Sequence, residues 1–246
     1  MKKTIFRTLL ASAALAAGSG AMAQAHWSYE GEAGPANWGK LDPQYVMCGI
    51  GRNQSPVDLS RFTEAELAPL KMQYKTAASE IVNNGHTLQV NYTPGSTLMV
   101  DGREFELKQF HFHSPSENTL NGKHFPLEGH LVHADKDGNL AVLAVMFAEG
   151  AENPLLAKLW QHVPPNKGDK SALPAGMNVK SLLPTLHSHY AFNGSLTTPP
   201  CTEGVRWLVI KQPATASKAQ VERFSGTIGE DNNRPVQPLN ARAVLR

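Results

Sequence analysis

A surplus of charge of either sign is missing from this 246-residue chain, which sets 23 Lys and Arg against 21 Asp and Glu. With no basic surplus and no basic run, neither nucleic acid nor an anionic membrane surface is an expected partner. Long hydrophobic runs are missing after the first two dozen residues, so no later segment is expected to anchor the chain in a bilayer. Internal repeats, low-complexity linkers and composition breaks are absent from residue 26 onward, which leaves one domain. No serine sits in a G-x-S-x-G elbow, the mark of one large class of nucleophilic hydrolases. Cysteine is limited to Cys48 and Cys201.

What is present begins with an export signal. Lys2, Lys3 and Arg7 precede an apolar, Ala-rich run at 9–17, and two A-x-A sites follow at 21–23 and 23–25. This reads as a secretory signal peptide over 1–25, cleaved after Ala23 or Ala25, and places the mature domain 26–246 in the periplasm or outside the cell. Cleavage removes three cations, which turns the formal +2 into about −1. In an oxidising compartment an even pair of cysteines reads as a disulfide, two buried free thiols being the alternative. A loop of this length would contribute about 5 kcal/mol in the chain-entropy account.

Along the mature chain, 26–48 is a Gly- and Pro-rich arm without helical period. Thr63 and Glu66 have the spacing of a capping box on a short helical turn. Short strands are expected at 72–74, 80–83, 87–92 and 96–100, with Asn83-Asn84-Gly85 and Pro94-Gly95 as turns. The apolar run 141–147 has strand length and predicts burial on both faces. Asn153-Pro154 opens a helix that Pro164-Pro165 closes. A second helix is expected over 217–224, and another core strand over 205–211. The fold class is α+β and β-dominated.

The chemistry concentrates in Gln109-Phe110-His111-Phe112-His113 and Glu128-Gly129-His130-Leu131-Val132-His133. Polar and apolar residues alternate in both, which predicts half-buried strands. Residues i and i+2 of a strand share a face, so His111 and His113 point together, as do His130 and Val132. Antiparallel pairing would bring three imidazoles to one point. Three nitrogen ligands with no thiolate suit zinc, and leave a fourth position for water, as catalytic sites do. A single histidine on a strand is more often packed or solvated, and the spacing by itself also fits cupin barrels. His187-Ser188-His189 is a second H-x-H without a third partner and reads as surface. His133 faces away from His130 and reads as structural, and Glu64 and Glu66 as a solvated turn.

Five separated motifs decide the matter. Asn53-Gln54-Ser55-Pro56-Val57, Gln109-Phe110-His111-Phe112-His113, Ser116-Glu117-Asn118-Thr119, Glu128-x-His130-Leu131-Val132-His133 and Gly194-Ser195-Leu196-Thr197-Thr198-Pro199-Pro200-Cys201 occur in this order. Together with Asn84-Gly85-His86 and Asn233-Arg234-Pro235-x-Gln237-Pro238-Leu239, the chain resembles the α-class carbonic anhydrases from about Trp27 to Arg242.

The resemblance implies a single domain with a large, mostly antiparallel twisted sheet, a few peripheral helices and a conical cleft. It implies reversible hydration of carbon dioxide to bicarbonate by zinc-hydroxide attack, with one Zn²⁺ per chain on His111, His113 and His130. Gln109 and Glu128 would orient His111 and His130. Thr197 would accept from the nucleophile and donate to Glu117, because an ionised carboxylate can only accept. Val132, Val142, Leu196, Val205 and Trp207 would form an apolar wall for carbon dioxide, with Thr198 touching bicarbonate. His86 matches the proton-shuttle position, where a pKa near 6.5 suits a donor near 7. Tyr29, Asn84 and Gln89 would line the wet half of the cleft. The resemblance also implies a Cys48–Cys201 bridge, cis bonds at Ser55-Pro56 and Pro199-Pro200, and a homodimer. The competing readings are a catalytically dead relative that only binds, and an iron-holding cupin.

Overall fold

The computed structural model describes residues 25–185 and 187–246; the expected signal peptide, 1–24 of it, lies outside them. Eleven strands form one sheet: β1 Lys71–Gln73, β2 Ala78–Asn83, β3 Leu88–Tyr92, β4 Thr97–Val100, β5 Arg103–His113, β6 Leu127–Ala134, β7 Leu140–Glu149, β8 Lys170–Ala172, β9 His189–Ser195, β10 Glu203–Ile210 and β11 Ala214–Ala216. The main order is β8-β2-β3-β5-β6-β7-β10-β9, with β4 added to β5, β1 to β4 and β11 to β7. Among the strands of the described residues only β10 and β11 pair in parallel, both against β7. The expected fold, one domain on a mostly antiparallel sheet, is the one observed.

Alternation along β7 explains the continuous apolar run. Leu143, Val145 and Phe147 enter a larger core with Phe110, Phe112 and Leu131. Val142, Ala144 and Met146 enter a second cluster with Val205, Trp207 and Val209 on the other side of the sheet. A strand buried on both faces needs no polar residue at either parity.

β5 is longer than expected and carries an irregularity that decides the site. Phe105 and Leu107 lie in the larger core, and so do Phe110 and Phe112. Odd numbers give way to even ones because the register shifts between Leu107, opposite His133, and Gln109, opposite Val132. The extra residue, Lys108, is a β-bulge, which re-aims the strand beyond it. Gln109, His111 and His113 therefore leave the larger core and face the second cluster.

The helices are peripheral. Two single turns, α1 Trp38–Leu41 and α2 Met47–Ile50, stand in the arm where no helix was expected, being too short to show a period. α3 Pro154–Leu159 begins where Asn153 Oδ1 accepts from the Leu155 and Leu156 amides, 3.0 and 3.2 Å away. α4 Lys218–Ile228 outruns its expected end; Ser217 and Gln220 form a capping box and Gly229, at φ 85°, closes it. The helical turn expected at Thr63 is not formed. Thr63 instead pairs with the C-terminal tail, its amide donating to Val244 O at 2.8 Å. Cys48 and Cys201 are joined by a disulfide across 153 residues. The bonds before Pro56 and Pro200 are cis as expected, and so is Ser114-Pro115, which was not. No helix among the described residues is long and apolar enough to cross a membrane.

Candidate metal centre

β5 and β6 run antiparallel with His111 opposite His130 and His113 opposite Glu128. Residues directly opposed in such a ladder share a face. The ladder thus gathers Gln109, His111, His113, Glu128, His130 and Val132 on one side. One ligand nitrogen from each of His111, His113 and His130 lies within 4.8 Å of the others, and among the described residues this is the one such group of three or more.

The remaining ring nitrogens show which atom of each imidazole is free. His111 Nδ1 is 2.9 Å from Gln109 Oε1, as expected. His113 Nδ1 donates to the Asn232 carbonyl at 2.7 Å. His113 Nε2 is then left buried with no hydrogen-bond partner. His130 Nε2 lies 3.0 Å from Glu128 Oε1, close enough for an electrostatic pairing though not aligned as a hydrogen bond. Burial lowers the pKa of all three rings, and the proximity of the other rings lowers His111 and His130 further. Neutral imidazoles with buried lone pairs and no donor are costly unless a cation satisfies them. The donor set therefore fits a divalent metal ion.

Two buried carboxylates stand behind the rings. Glu128 Oε2 accepts from the Glu117 and Asn118 amides at 2.7 and 2.9 Å, and Oε1 from Asn118 Nδ2 at 2.8 Å. Glu117 Oε1 accepts from the Arg234 amide at 2.9 Å and lies 3.6 Å from His113 Nδ1. Burial pushes the Glu117 carboxyl up to about 8, against the pull of the Arg234 amide and the Thr197 side chain. A dication at the histidines would add a downward pull and favour the ionised form. Thr197 is itself buried, on a loop closed by Leu196 N to Thr202 O at 2.9 Å and Cys201 N to Thr198 O at 2.8 Å.

Beside the rings, Val142, Val205 and Trp207 are buried in the second cluster, with Val132 and Leu196 packed on it. Val132 pairs with Val142 and Val142 with Trp207, so three strands place these side chains in a row. The Trp207 ring stands 4.9 Å from His130, nearly perpendicular. Gly194 keeps this corner tight, since a Cβ there would come within 2.1 Å of Ser55 Oγ and 2.9 Å of Trp207 Cδ1. All five residues expected to form the apolar wall are thus together.

The polar residues depart further from expectation. His86 is stacked on Trp27, centroids 3.8 Å apart, and its Nδ1 is buried without a partner. Burial first, then Lys167 and His26, lower its pKa to about 4, not the unperturbed value expected of a carrier. Asn84 Oδ1 is turned onto its own turn, accepting from the His86 and Thr87 amides. Gln89 Nε2 donates to Asn91 Oδ1 at 2.7 Å. Tyr29 is buried edge-on to Trp27 and Trp38, and Thr198 is half-buried. His189 is buried at the start of β9, not on the surface, while His187 is half-buried. His133 is structural as expected, fully buried with Nε2 2.9 Å from the Tyr74 hydroxyl.

Three residues escaped sequence reasoning. Asn118 holds Glu128, and Asn232 holds His113, the Ser114 amide and the His86 carbonyl. Arg234 holds Glu117. All three lie in or beside motifs noticed for their order, but Asn232 holds His113 and Arg234 holds Glu117 through backbone groups, which leave no spacing pattern to read.

Residues 33–246 match the sequence profile described as eukaryotic-type carbonic anhydrase. The chain belongs to this family. A carbonic anhydrase from Pectobacterium carotovorum is 49% identical over 220 residues, covering 89% of this chain and 90% of that one. The α-carbonic anhydrase of Thermovibrio ammonificans, solved with the inhibitor sulfanilamide, has a TM-score of 0.89 at 51% identity, over 91% of this chain and 100% of its own. That of Photobacterium profundum has a TM-score of 0.85 at 52% identity, over 90% and 100%. Carbonic anhydrases hydrate carbon dioxide reversibly to bicarbonate and a proton, and this chain is an enzyme of that family with its histidine group intact.

Proposed function

We propose that this carbonic anhydrase is a zinc enzyme in which His111, His113 and His130 hold one Zn²⁺. The observation that carries the proposal is the gathering of one ligand nitrogen from each of three neutral imidazoles within 4.8 Å of one another, with His113 Nε2 buried and partnerless. Bound zinc supplies a Lewis acid that, in carbonic anhydrases as a class and not as a value derived for this chain, lowers the pKa of its water from 15.7 to about 7. Gln109, Asn232 and Glu128 fix which nitrogen of each ring is presented. Glu117, ionised, accepts from the Thr197 hydroxyl, so the Thr197 oxygen is left to accept and orients the attacking oxygen toward carbon dioxide. Val132, Val142, Leu196, Val205 and Trp207 exclude water from the substrate's side, which suits a molecule with no charge and no strong hydrogen-bonding handle. Thr198 contacts bicarbonate.

His86 carries the product proton to solvent past Tyr29, Asn84 and Gln89. The role requires its ring to leave the Trp27 stack, because an acceptor near 4 lies about three units below a donor near 7 and the transfer would run uphill. His86→Ala is expected to lower turnover in dilute buffer and to recover it with added imidazole; no recovery removes this assignment. The protein acts in the periplasm or outside the cell after cleavage following Ala23 or Ala25, with homodimeric assembly following the resemblance to exported bacterial members. The decisive measurement is metal content after purification from rich medium. One zinc per chain is expected, and iron would overturn the proposal.

A further inference from the structure

Arg234 is 1% exposed and distributes its guanidinium over three acceptors. Nη1 donates to Gln54 Oε1 and to Ser55 O, both at 2.8 Å, and Nη2 donates to Cys48 O at 3.1 Å. Its face lies over Trp38, 5.7 Å from the ring centre. Burial lowers its pKa only to about 10, so it stays a cation at neutrality. Gln54, 3% exposed, extends the connection: Nε2 donates to Cys201 O and to Glu203 Oε1, both at 3.0 Å. Glu203 Oε1 also accepts from the Asn53 amide at 2.7 Å. The carbonyls of both bridged cysteines are thus held by one Arg–Gln pair.

Two further observations show that this arrangement is built in. Gly51 leaves the room it needs, because a Cβ there would lie 2.3 Å from Gln54 Nε2 and 2.6 Å from Glu203 Oε1. The Arg234 amide donates to Glu117 Oε1 at 2.9 Å, so the residue that grips the Cys48 carbonyl also fixes the carboxylate facing Thr197. A planar guanidinium can serve three acceptors in a fixed fork, which a lysine cannot. A hydrogen-bonded link and a covalent one therefore span the same gap, from the N-terminal arm to the loop that ends at Cys201.

We propose that Arg234 and Gln54 form a bracket, parallel to the disulfide, that positions Glu117 and the Thr197 loop even when Cys48 and Cys201 are not joined. The proposal rests on the reading of Glu117 and Thr197 as the group that orients the attacking oxygen. Either link alone holds the loop; losing both releases it.

The test compares four zinc-loaded proteins: native, Cys48→Ser with Cys201→Ser, Gln54→Ala, and the combination. The cysteine pair and Gln54→Ala should each stay within about threefold of native kcat/KM, while the combination falls about tenfold below the product of the two effects. KM for carbon dioxide should change less than about twofold, since no bracket atom belongs to the apolar wall. Amide exchange at Leu196 and at position 201 should quicken only in the combination, with Leu131 and Val145 unchanged. Purely multiplicative effects, or exchange that quickens in β6 and β7 as well, would overturn the bracket. Should the combination not fold, folded Gln54→Ala and native protein are reduced in place with a phosphine and their thiols counted. Loss of rate in Gln54→Ala with none in native supports the proposal, and equal behaviour overturns it. Thr197→Ala separates this from the underlying reading. Full activity there removes the orienting role itself, whereas a slow Thr197→Ala enzyme beside multiplicative Cys and Gln54 effects removes the bracket alone.

Discussion

His113→Ala should abolish stoichiometric zinc binding and lower carbon dioxide hydration by about 10³-fold or more. The reasoning is electrostatic. Generating a strong base from water at neutrality spans nearly nine pKa units, about 12 kcal/mol at 1.36 per unit. The ion supplies this only while held by neutral donors, and His113 is the donor whose free nitrogen is buried without any other partner. Its own orientation is fixed by the Asn232 carbonyl at 2.7 Å. Stopped-flow hydration and metal analysis on the same preparation check the result. A variant that keeps one zinc and native turnover would end the metal assignment. A variant that keeps zinc but loses turnover would show His113 acting otherwise than as a ligand.

Thr197→Ala should keep its zinc and lose roughly 100-fold in kcat/KM, the usual effect of deleting one preorganised hydrogen-bonding group at a reacting oxygen. Thr197→Ser, which retains the hydroxyl, should lose far less. Glu117 explains the difference. It is buried, one oxygen takes the Arg234 amide, and the Thr197 side chain helps hold the carboxyl down against burial. A hydroxyl facing such a carboxylate has its proton committed and only its lone pairs to offer. Removing the methyl leaves that logic intact, and removing the hydroxyl destroys it. If Thr197→Ala stays within about threefold of native kcat/KM, the orienting role falls.

How much of this could be read from the residues depends on what kind of contact made each part. The histidine group was legible because alternation along a strand is a local rule, and His111, His113 and His130 obey it across one antiparallel pairing. The apolar wall needed the family resemblance, since Val142 and Val205 look like any buried strand residues until β7 and β10 are paired. Asn232 was out of reach because it holds His113 through a carbonyl, and every residue carries one. His86 was placed correctly in its turn, but its pKa is set first by burial and then by Lys167 and His26, none of which the local sequence shows. Thr63 shows the opposite error. Its capping spacing was real, yet pairing with the C-terminal tail supplied the same amide with a backbone carbonyl instead.

The bulge at Lys108 reaches beyond this one strand. Counted from Phe105, a regular β5 would keep one phase to its end, and Gln109, His111 and His113 would be carried into the larger core while Phe110 and Phe112 faced the second cluster. A single supernumerary residue flips that phase, so the same eleven residues serve as packing for half their length and as a ligand arm for the rest. A homologue or design that copied the histidine motif but dropped this offset would contain every letter of the site and none of its geometry.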